Sequence, residues 1–516
     1  MNRQKNTRNV LEYLEQSAGR LPDKTAVIDD KTSCTYAELL ADAQAIGAYL
    51  TTRIDTCRPV AVYMDKSVDT LKLFYGIVYA GCFYTLVDPG FPKDRVRGML
   101  SVLDPAFVFA QEDRVETLAE LGFSDRTGDL TGGLEEVLRA GRDILEKDQA
   151  CLERVRKAHI DTNPLYCNFT SGSTGIPKGV LVGHRSVIEF IECFTELFDI
   201  TEEDVIGNQA PFDFDVSVKD IYSAVSLGAT LVIIPRSSFM FPNAVVDMLE
   251  KHGCTTLIWA VSALTLLARL HGLKYKVPAK VNKILFSGEQ MPVKMLNVWK
   301  SYLPDATYVN LYGPTEITCN CTYHVLDRDY EDGEKLPMGG AFPNEKVFLL
   351  SDDDKEIGPQ QTGITGELCV AGTALAIGYY KNEEATAKAF TDNPLVPDFP
   401  ERIYRTGDLA YYGEDGLLYF AGRKDFQIKH MGHRIELEEI ERSLGAVSLV
   451  ERCCCYFDEA KGKVIAVYEG GEDKRQIIDE MKEKVPEYMV PNRFVRVDAL
   501  PLTKNGKVDR KAVREL

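Results

Sequence analysis

Short apolar runs alternate with segments of helical periodicity through the first four hundred residues of the chain. Residues 26–28, 60–63, 106–110, 230–234 and 256–259 have the composition of buried strands, and segments such as 67–79 and 245–252 carry apolar residues at helical spacing. Strands that alternate with helices build layered folds in which the sheets are largely parallel. The sequence therefore predicts an α/β protein.

The pattern changes at three places along the chain. Residues 125–162 are polar and charged, which predicts a helical excursion outside the core. From about residue 340, short strands with Gly-Asp turns predict a β-rich subdomain. After residues 422–425 a smaller unit begins, with a helix near 437–444, a strand near 463–469 and a helix near 474–484. We expect an N-terminal domain of layered α/β subdomains and the β-rich subdomain over residues 1–424, and an α+β domain over residues 425–516.

The charge and cysteine content exclude several classes of function. A net charge of −18 over 516 residues argues against general affinity for nucleic acid or anionic membranes. No stretch approaches the ~20 apolar residues of a membrane span, and residues 1–20 lack the apolar core of a secretion signal. We expect a cytoplasmic protein. Its thirteen cysteines, including the adjacent residues 453–455, lack zinc-ligand spacing and are interpreted as reduced structural thiols.

Residues 170–179, Thr-Ser-Gly-Ser-Thr-Gly-Ile-Pro-Lys-Gly, predict a loop that wraps a polyphosphate. The glycines allow the backbone N–H groups to turn inward around an anion, and Lys178 supplies a counter-charge. Apolar runs at 165–169 and 180–182 place the loop between two buried strands. It is not a Walker A loop, because Pro177 precedes Lys178 and Gly179 follows it. A flexible Ser/Gly surface loop is the alternative interpretation.

Five further motifs follow this loop in order: Asn-Leu-Tyr-Gly-Pro-Thr-Glu at 310–316, Gly-Glu-Leu-Cys-Val-Ala-Gly at 366–372, Tyr-Arg-Thr-Gly-Asp at 404–408, Gly-Arg-Lys-Asp-Phe-Gln-Ile-Lys at 422–429 and Pro-Leu-Thr-Lys-Asn-Gly-Lys-Val-Asp-Arg at 501–510. The set resembles the adenylate-forming enzymes, specifically the amino-acid adenylation domains of nonribosomal peptide synthetases, from residue 35 to residue 511. Residues 208–220 and 434–441 are most similar to the stand-alone D-alanine–carrier protein ligases.

The resemblance implies two half-reactions. An amino-acid carboxylate attacks the α-phosphorus of ATP, with Mg²⁺ as cofactor, and gives an aminoacyl-adenylate and pyrophosphate. The acyl group then passes to the phosphopantetheine thiol of a carrier protein, which acts in trans or belongs to an adjoining domain. Between the steps the small C-terminal domain rotates about a hinge, which the resemblance places at Asp425. We expect a monomer.

The resemblance also assigns the nucleotide site. Lys507 is the catalytic lysine, Glu316 the Mg²⁺ ligand and Thr315 a contact of the α-phosphate. Tyr312 stacks on adenine, Asn310 binds its amine, and Asp408 accepts the ribose hydroxyls. The full set of expected ATP-binding residues is Thr170, Ser171, Gly172, Ser173, Thr174, Lys178, Asn310, Tyr312, Asp408, Phe420, Arg423 and Lys507. The alternatives are a solvated Lys507 in a basic tail, a surface carboxylate at Glu316 and a core side chain at Tyr312.

Asp215 separates the substrate classes. The resemblance pairs it with the α-ammonium of an amino acid, whereas an activator of non-amino acids has no cation to neutralise there. A coenzyme A ligase for a small organic acid is therefore the alternative function. The alternative role for Asp215 itself is to cap the helix that follows it.

By motif position, the substrate pocket is lined by Asp215, Val216, Lys219, Ala260, Leu285, Ser287, Leu311, Cys319 and Asn320. Lys219 is the unusual member, because an unpaired buried lysine is costly. Either its ammonium turns to water and the substrate is a small or medium neutral amino acid, or the substrate carries a carboxylate or a strong acceptor to meet it. The sequence favours the first alternative and leaves the second open.

Overall fold

The computed structural model describes residues 7–128, 133–172, 177–459, 461–503 and 508–516. Its helices, numbered along the chain, are α1 Leu11–Arg20, α2 Tyr36–Thr51, α3 Val68–Tyr79, α4 Lys93–Leu103, α5 Val115–Glu120, α6 Leu134–Lys147, α7 Cys151–Ala158, α8 His184–Leu197, α9 Val216–Leu227, α10 Pro242–His252, α11 Val261–Arg269, α12 Gly272–Tyr275, α13 Val293–Tyr302, α14 Glu383–Ala389, α15 Leu437–Gly445, α16 Lys474–Lys484 and α17 Arg510–Val513.

Its strands are β1 Thr25–Ile28, β2 Ser33–Thr35, β3 Pro59–Tyr63, β4 Phe83–Leu86, β5 Phe107–Ala110, β6 Thr127–Gly128, β7 Pro164–Thr170, β8 Lys178–Gly183, β9 Val205–Asn208, β10 Thr230–Ile233, β11 Thr256–Ala260, β12 Lys283–Ser287, β13 Thr307–Tyr312, β14 Thr322–Val325, β15 Gly340–Ala341, β16 Glu345–Leu350, β17 Glu356–Ile357, β18 Gly366–Gly372, β19 Gly378–Tyr379, β20 Phe390–Asp392, β21 Arg402–Tyr412, β22 Leu418–Arg423, β23 Gln427–His430, β24 His433–Glu436, β25 Val450–Asp458, β26 Lys463–Gly470 and β27 Arg493–Arg496.

Two large sheets dominate the first four hundred residues. The first has the order β15-β14-β13-β12-β11-β9-β10-β1-β2, and its six strands from β13 to β1 are parallel. The second has the order β19-β8-β7-β4-β3-β5-β6 and is parallel from β7 to β6. Helices such as α3 and α9 bury almost all of their length between strands. The α/β prediction is confirmed.

Strands β7 and β8 form an antiparallel pair in which Thr170 lies opposite Lys178. Most residues of both strands are buried, which confirms that the glycine-rich loop connects two buried strands. Residues 173–176 of that loop, including Ser173 and Thr174, lie outside the described residues.

Helix α6 corrects one expectation. Val137 and Leu138 are buried in the main hydrophobic core, so the segment 125–162 is not wholly outside it. The reason is the spacing of Leu134, Val137, Leu138 and Gly141, which makes one apolar face at helical period. Gly141 lets this face approach helix α2 closely, since a Cβ there would lie 1.9 Å from the carbonyl oxygen of Ala45.

The remaining sheets are smaller. Strands β17, β16, β18, β21 and β20 form an antiparallel sheet, with β22 paired to β21, as the Gly-Asp turns predicted. After residue 425 come the hairpin β23–β24 and a three-stranded sheet, β25-β26-β27, packed against α15 and α16. A separate hydrophobic cluster made only of residues from 428 onward fills this unit. The sequence missed β25, where Cys454 and Cys455 are buried as free thiols.

No helix in the described ranges is both long enough and apolar enough to cross a bilayer.

Candidate active site

The predicted site residues lie at the carboxyl ends of neighbouring parallel strands. Ala260 is the last residue of β11 and Ser287 the last residue of β12, and Asn310 and Tyr312 lie among the last three residues of β13. Helix α9, which begins after Asp215, reaches the same edge from the end of β9. In open α/β sheets, ligands bind in the crevice outside the carboxyl ends of the strands. The position in the fold therefore supports a ligand site here.

The turn that follows β13 is held in an uncommon backbone conformation. After the short 3₁₀ helix Thr315–Ile317, Thr318 and Cys319 have φ angles of 51° and 78°, which few residues other than glycine adopt. At Gly313, a Cβ would lie 2.4 Å from the Cα of Asn320, so only glycine allows the turn to close. Strain of this kind concentrates at functional sites, and here it positions Glu316 and Asn320.

Glu316 is a buried carboxylate that accepts three hydrogen bonds from two residues. Nη1 of Arg434 donates to both carboxylate oxygens at 2.7 and 2.9 Å, and the hydroxyl of Tyr379 donates at 2.7 Å. Burial alone would raise the pKa of Glu316, but the charge of Arg434 and the Tyr379 hydrogen bond outweigh it, and the pKa lies below its usual value. The surface-carboxylate interpretation is wrong, because the residue is 1% exposed.

Glu316 could serve as a Mg²⁺ ligand, provided that Arg434 moves away from it. Mg²⁺ is usually held by one or two carboxylates together with substrate phosphates, and no group of three or more potential metal ligands occurs among the described residues. Glu316 alone could supply such a carboxylate. Both of its oxygens now accept from Arg434, so Arg434 must withdraw before a cation can bind there.

Asp408 is tied to the proposed hinge. Its side chain accepts from the Tyr312 hydroxyl and from Nη1 of Arg423, the latter at 2.6 Å. The same guanidinium donates to both oxygens of Asp425, at 2.6 and 2.7 Å. Arg423 therefore bridges the carboxylate expected to hold ribose and the residue expected to be the hinge. Phe420, which is also expected to bind ATP, lies on β22, the strand that ends at Arg423.

The two β13 residues that are expected to bind adenine, Tyr312 and Asn310, contact protein groups in this structure. The ammonium of Lys429 lies 5.0 Å from the ring centre of Tyr312, the ring that is expected to stack on adenine. Tyr312 is buried, and Asn310 donates to the carbonyl of Pro337 at 2.8 Å. The roles of both residues toward adenine stay predictions.

One described end of the glycine-rich loop contacts the C-terminal domain, and the other lies near a tyrosine of the N-terminal domain. The Ser171 hydroxyl donates to the carbonyl of Arg434 at 2.8 Å, and the Lys178 ammonium lies 5.4 Å from the ring centre of Tyr379. Thr170 and Gly172 flank Ser171. Lys507, like Ser173 and Thr174, falls outside the described residues, so its catalytic role stays a prediction.

The hairpin β23–β24 covers the site, and the sequence analysis did not assign it this place. Lys429 and Arg434 are directly paired across the hairpin, so both basic side chains share a face. The N–H of Gly432 donates to Glu289 at 2.6 Å, and the ring of His433 lies 4.7 Å from that of Phe214. The available signal was the symmetric placement of two basic residues about the turn at residues 431–432.

A buried ion pair outside the hairpin holds the same arrangement. Arg95 of α4 donates to Glu439 of α15 at 2.8 Å, and both side chains are nearly inaccessible. The C-terminal domain is therefore docked on the N-terminal one through α15 as well as through the hairpin.

Asp215 points into the predicted substrate pocket. It precedes α9, but its side chain makes no capping hydrogen bond, so the helix-cap interpretation is wrong. Burial raises the pKa of Asp215, although a hydrogen bond from Thr315 opposes the shift. Thr315, expected on the α-phosphate, is thus bonded to Asp215 here. The Cys319 thiol contacts the Asp215 carbonyl at 3.0 Å.

Lys219 corrects the favoured expectation for the pocket. Its side chain does not turn to water: the residue is 0% exposed, and its ammonium donates to Oδ1 of Asn320 at 2.7 Å and to Ser287 at 3.4 Å. The lysine lies one helical turn after Asp215 and is buried, as are Leu285 and Leu311. Its ammonium therefore does not reach the surface. Val216 and Ala260 are half-buried nearby.

Comparison with known proteins agrees with this geometry. Residues 14–380 match the family described as AMP-binding enzyme, and residues 439–507 match the AMP-binding enzyme C-terminal domain. Bacitracin synthase 1 of Bacillus licheniformis is 33% identical over 98% of this chain and 9% of its own length. Tyrocidine synthase 1 of Brevibacillus parabrevis is 30% identical over 98% of this chain and 45% of its own length. The chain thus spans less than half of either relative.

Solved structures share the fold. An adenylation domain of Vibrio cholerae, AlmE, in complex with glycyl-adenosine-5′-phosphate, has a TM-score of 0.81 at 20% identity and covers 100% of this chain and 98% of its own. PA1221, described as a nonribosomal peptide synthetase protein with adenylation and carrier (PCP) domains, has a TM-score of 0.80 at 23% identity, covering 98% of this chain and 84% of its own. The chain belongs to the AMP-binding enzymes, as an adenylation domain of the nonribosomal peptide synthetase type.

Proposed function

We propose that the protein activates an amino acid as its aminoacyl-adenylate and then transfers the acyl group to the phosphopantetheine thiol of a carrier protein. The observation that carries this proposal is the placement of Asp215 beside the turn that holds Glu316, with Asp408 across the same crevice. Side chains that would suit an ammonium group, a phosphate-bound cation and a ribose therefore lie in one region of the fold.

In the first step the substrate carboxylate oxygen bonds to the α-phosphorus of ATP, and the bond from that phosphorus to the bridging oxygen of pyrophosphate breaks. Asp215 orients the substrate through its α-ammonium, and Asp408 orients the nucleotide through its ribose. Mg²⁺, when bound at Glu316, neutralises charge on the phosphates. Lys507 and Lys178 add positive charge where the carboxylate and triphosphate meet.

In the second step the phosphopantetheine sulfur attacks the acyl carbon as thiolate, a thioester forms, and the acyl–phosphate bond breaks to release AMP. The ion pair between Arg434 and Glu316 belongs to an arrangement in which the hairpin covers the nucleotide site. The first step requires the hairpin to leave, so the C-terminal domain moves between the steps.

The test is substrate-dependent exchange of pyrophosphate into ATP over a panel of amino acids and small organic acids, followed by transfer to two acceptors, a phosphopantetheinylated carrier protein and free coenzyme A. We expect exchange with an amino acid and transfer to a phosphopantetheinylated carrier protein, with free coenzyme A a poor acceptor. Exchange only with an acid that lacks an amino group, with efficient transfer to coenzyme A, would establish the organic-acid ligase instead.

A further inference from the structure

The substrate pocket contains a buried cation whose partners in the described protein are neutral. Lys219 donates to the amide oxygen of Asn320 and the hydroxyl of Ser287, which are two acceptors for the three N–H bonds of an ammonium. Neutral hydrogen bonds compensate only part of the cost of removing a charge from water. The site is therefore incomplete in charge, although its geometry is well defined.

The neighbouring carboxylates do not hydrogen-bond to Lys219, although Oδ1 of Asp220 has no hydrogen-bond partner among the described residues. Asp215 accepts from Thr315, and Asp220, the next residue along α9, accepts from the side-chain amide of Asn208 at 2.6 Å. Burial raises the pKa of both carboxyl groups and lowers the pKa of Lys219, because each charged form loses its solvation. Both act on Lys219 through space, and its hydrogen bonds go to Asn320 and Ser287. No described carboxylate hydrogen-bonds to Lys219, which leaves a hydrogen-bonded anion to be supplied by the substrate.

The spacing along α9 defines where that anion would lie. Residues four apart on a helix have Cβ atoms about 5–6 Å from each other on one face, so Asp215 and Lys219 present opposite charges about one turn apart. A substrate held at Asp215 by its α-ammonium directs its side chain toward Lys219. Leu285 and Leu311, which are expected to line the pocket, are both buried, and their apolar surface would suit a short methylene stem.

We propose that the pocket selects an amino acid whose side chain ends in a carboxylate, with Lys219 as the residue that determines this specificity. The inference rests on the proposed function, since it needs an α-amino acid at Asp215. Asn320 and Ser287 hold the ammonium in place before the substrate arrives, which reduces the reorganisation needed on binding.

The experiment measures kcat/KM for pyrophosphate exchange with both enantiomers of glutamate and aspartate, and with glutamine, alanine and leucine. We expect a dicarboxylic amino acid to be preferred over its amide by roughly 10- to 150-fold, the range for a hydrogen bond to a charged group. A higher kcat/KM for glutamine or for an aliphatic amino acid overturns the inference.

Two variants test Lys219 directly. Lys219→Met keeps the length of the side chain and removes its charge, and should lower the ratio of acidic to neutral kcat/KM by at least tenfold. Asn320→Asp keeps Lys219 and gives it an internal counter-ion, and should lower the same ratio. An unchanged ratio in a folded variant overturns the assignment to Lys219, and thermal unfolding establishes which variants are folded. If Lys219→Met does not fold, Asn320→Asp and the wild-type panel decide.

Failure of this inference is distinct from failure of the proposed function. Exchange with neutral amino acids but not with acidic ones contradicts the inference alone. Exchange with no amino acid, together with exchange for an organic acid, contradicts the proposed function, and the pocket question then no longer arises for this reaction.

Discussion

Single charged side chains determine what this site can hold at any moment. Glu316 cannot bind Arg434 and a metal ion with the same two oxygens, and an adenine ring on the face of Tyr312 that Lys429 covers would have to displace the lysine. On the proposed function, the observed contacts and the predicted contacts belong to different steps of one cycle. Predictions at the residue scale follow from which step each side chain serves.

Lys507→Ala should reduce adenylate formation by about 10²–10³-fold, as expected for loss of a preorganised charge at a transferring phosphoryl group. Thioester formation from preformed adenylate should survive, because the C-terminal domain will have rotated. Exchange and single-turnover thiol transfer are measured separately. Lys511→Ala, which removes an exposed lysine of the same basic segment, is the control. Equal loss in both half-reactions would contradict the division of labour.

Arg434→Ala should lower the apparent KM for Mg·ATP in the exchange reaction several-fold, because nucleotide and cation no longer compete with the guanidinium for Glu316. Arg434→Lys, which keeps a positive charge but not the fork of donors, should fall between the variant and the wild type. A raised KM in Arg434→Ala would mean that Arg434 binds the nucleotide and does not compete with it for Glu316.

At the scale of elements, the sequence predicted the helices and strands well where period and turn residues agreed. Helix α16 covers the predicted 474–484, and strand β26 begins at the predicted residue 463. It missed β25, because the Cys453–Cys455 run has no alternation of polar and apolar residues to reveal a strand. Residues of the hairpin β23–β24 belong to motifs that the sequence shows. The position of the hairpin over Glu316, however, depends on how the two domains dock, which no local sequence pattern predicts. Lys219 was correctly singled out, but its orientation depends on packing among three elements.

The connection between β22 and β23 is the expected pivot, and substitution can separate its backbone from its side chain. Asp425→Pro fixes φ at about −65° and should leave one half-reaction while the other fails. Asp425→Ala keeps backbone freedom and removes the ion pair with Arg423 and the hydrogen bond from the Gln427 N–H, so it should retain both steps. The two half-reactions are assayed in each variant. Unchanged turnover in both steps for Asp425→Pro would show that the pivot lies elsewhere.

At the scale of the whole molecule, one buried carboxyl group outside the site makes stability depend on pH. Glu345, at the start of β16, accepts one hydrogen bond from the N–H of Ala374, and its second oxygen has no partner among the described residues. Burial raises the pKa of Glu345 to about 8. The unfolded value is about 4.3, so the folded state keeps a proton that the unfolded state has lost between these values. Its contribution to stability is therefore full below about pH 4 and is lost as pH rises toward 8.

Glu345→Gln should remove this dependence, since the amide is neutral at every pH. We expect the variant to gain at least about 1 kcal/mol in free energy of unfolding, relative to wild type, between pH 5 and pH 8.5. Urea unfolding at the two pH values measures the difference, and Glu356→Gln, at an exposed position of β17, is the control. The same difference in both variants would show that Glu345 is not its source.

The guanidinium of Arg423, shared between Asp408 and Asp425, has a consequence for energetics. If ribose binds at Asp408 and the domain pivots at Asp425, the two events draw on one cation and are linked equilibria. By reciprocity, any factor by which the nucleotide biases the rotation is the factor by which the rotation biases nucleotide affinity. ATP and AMP differ in the phosphates they present but not in the ribose, so this linkage acts on both alike. The preference for one orientation over the other must then be set at the phosphate end, where Glu316 and Arg434 lie.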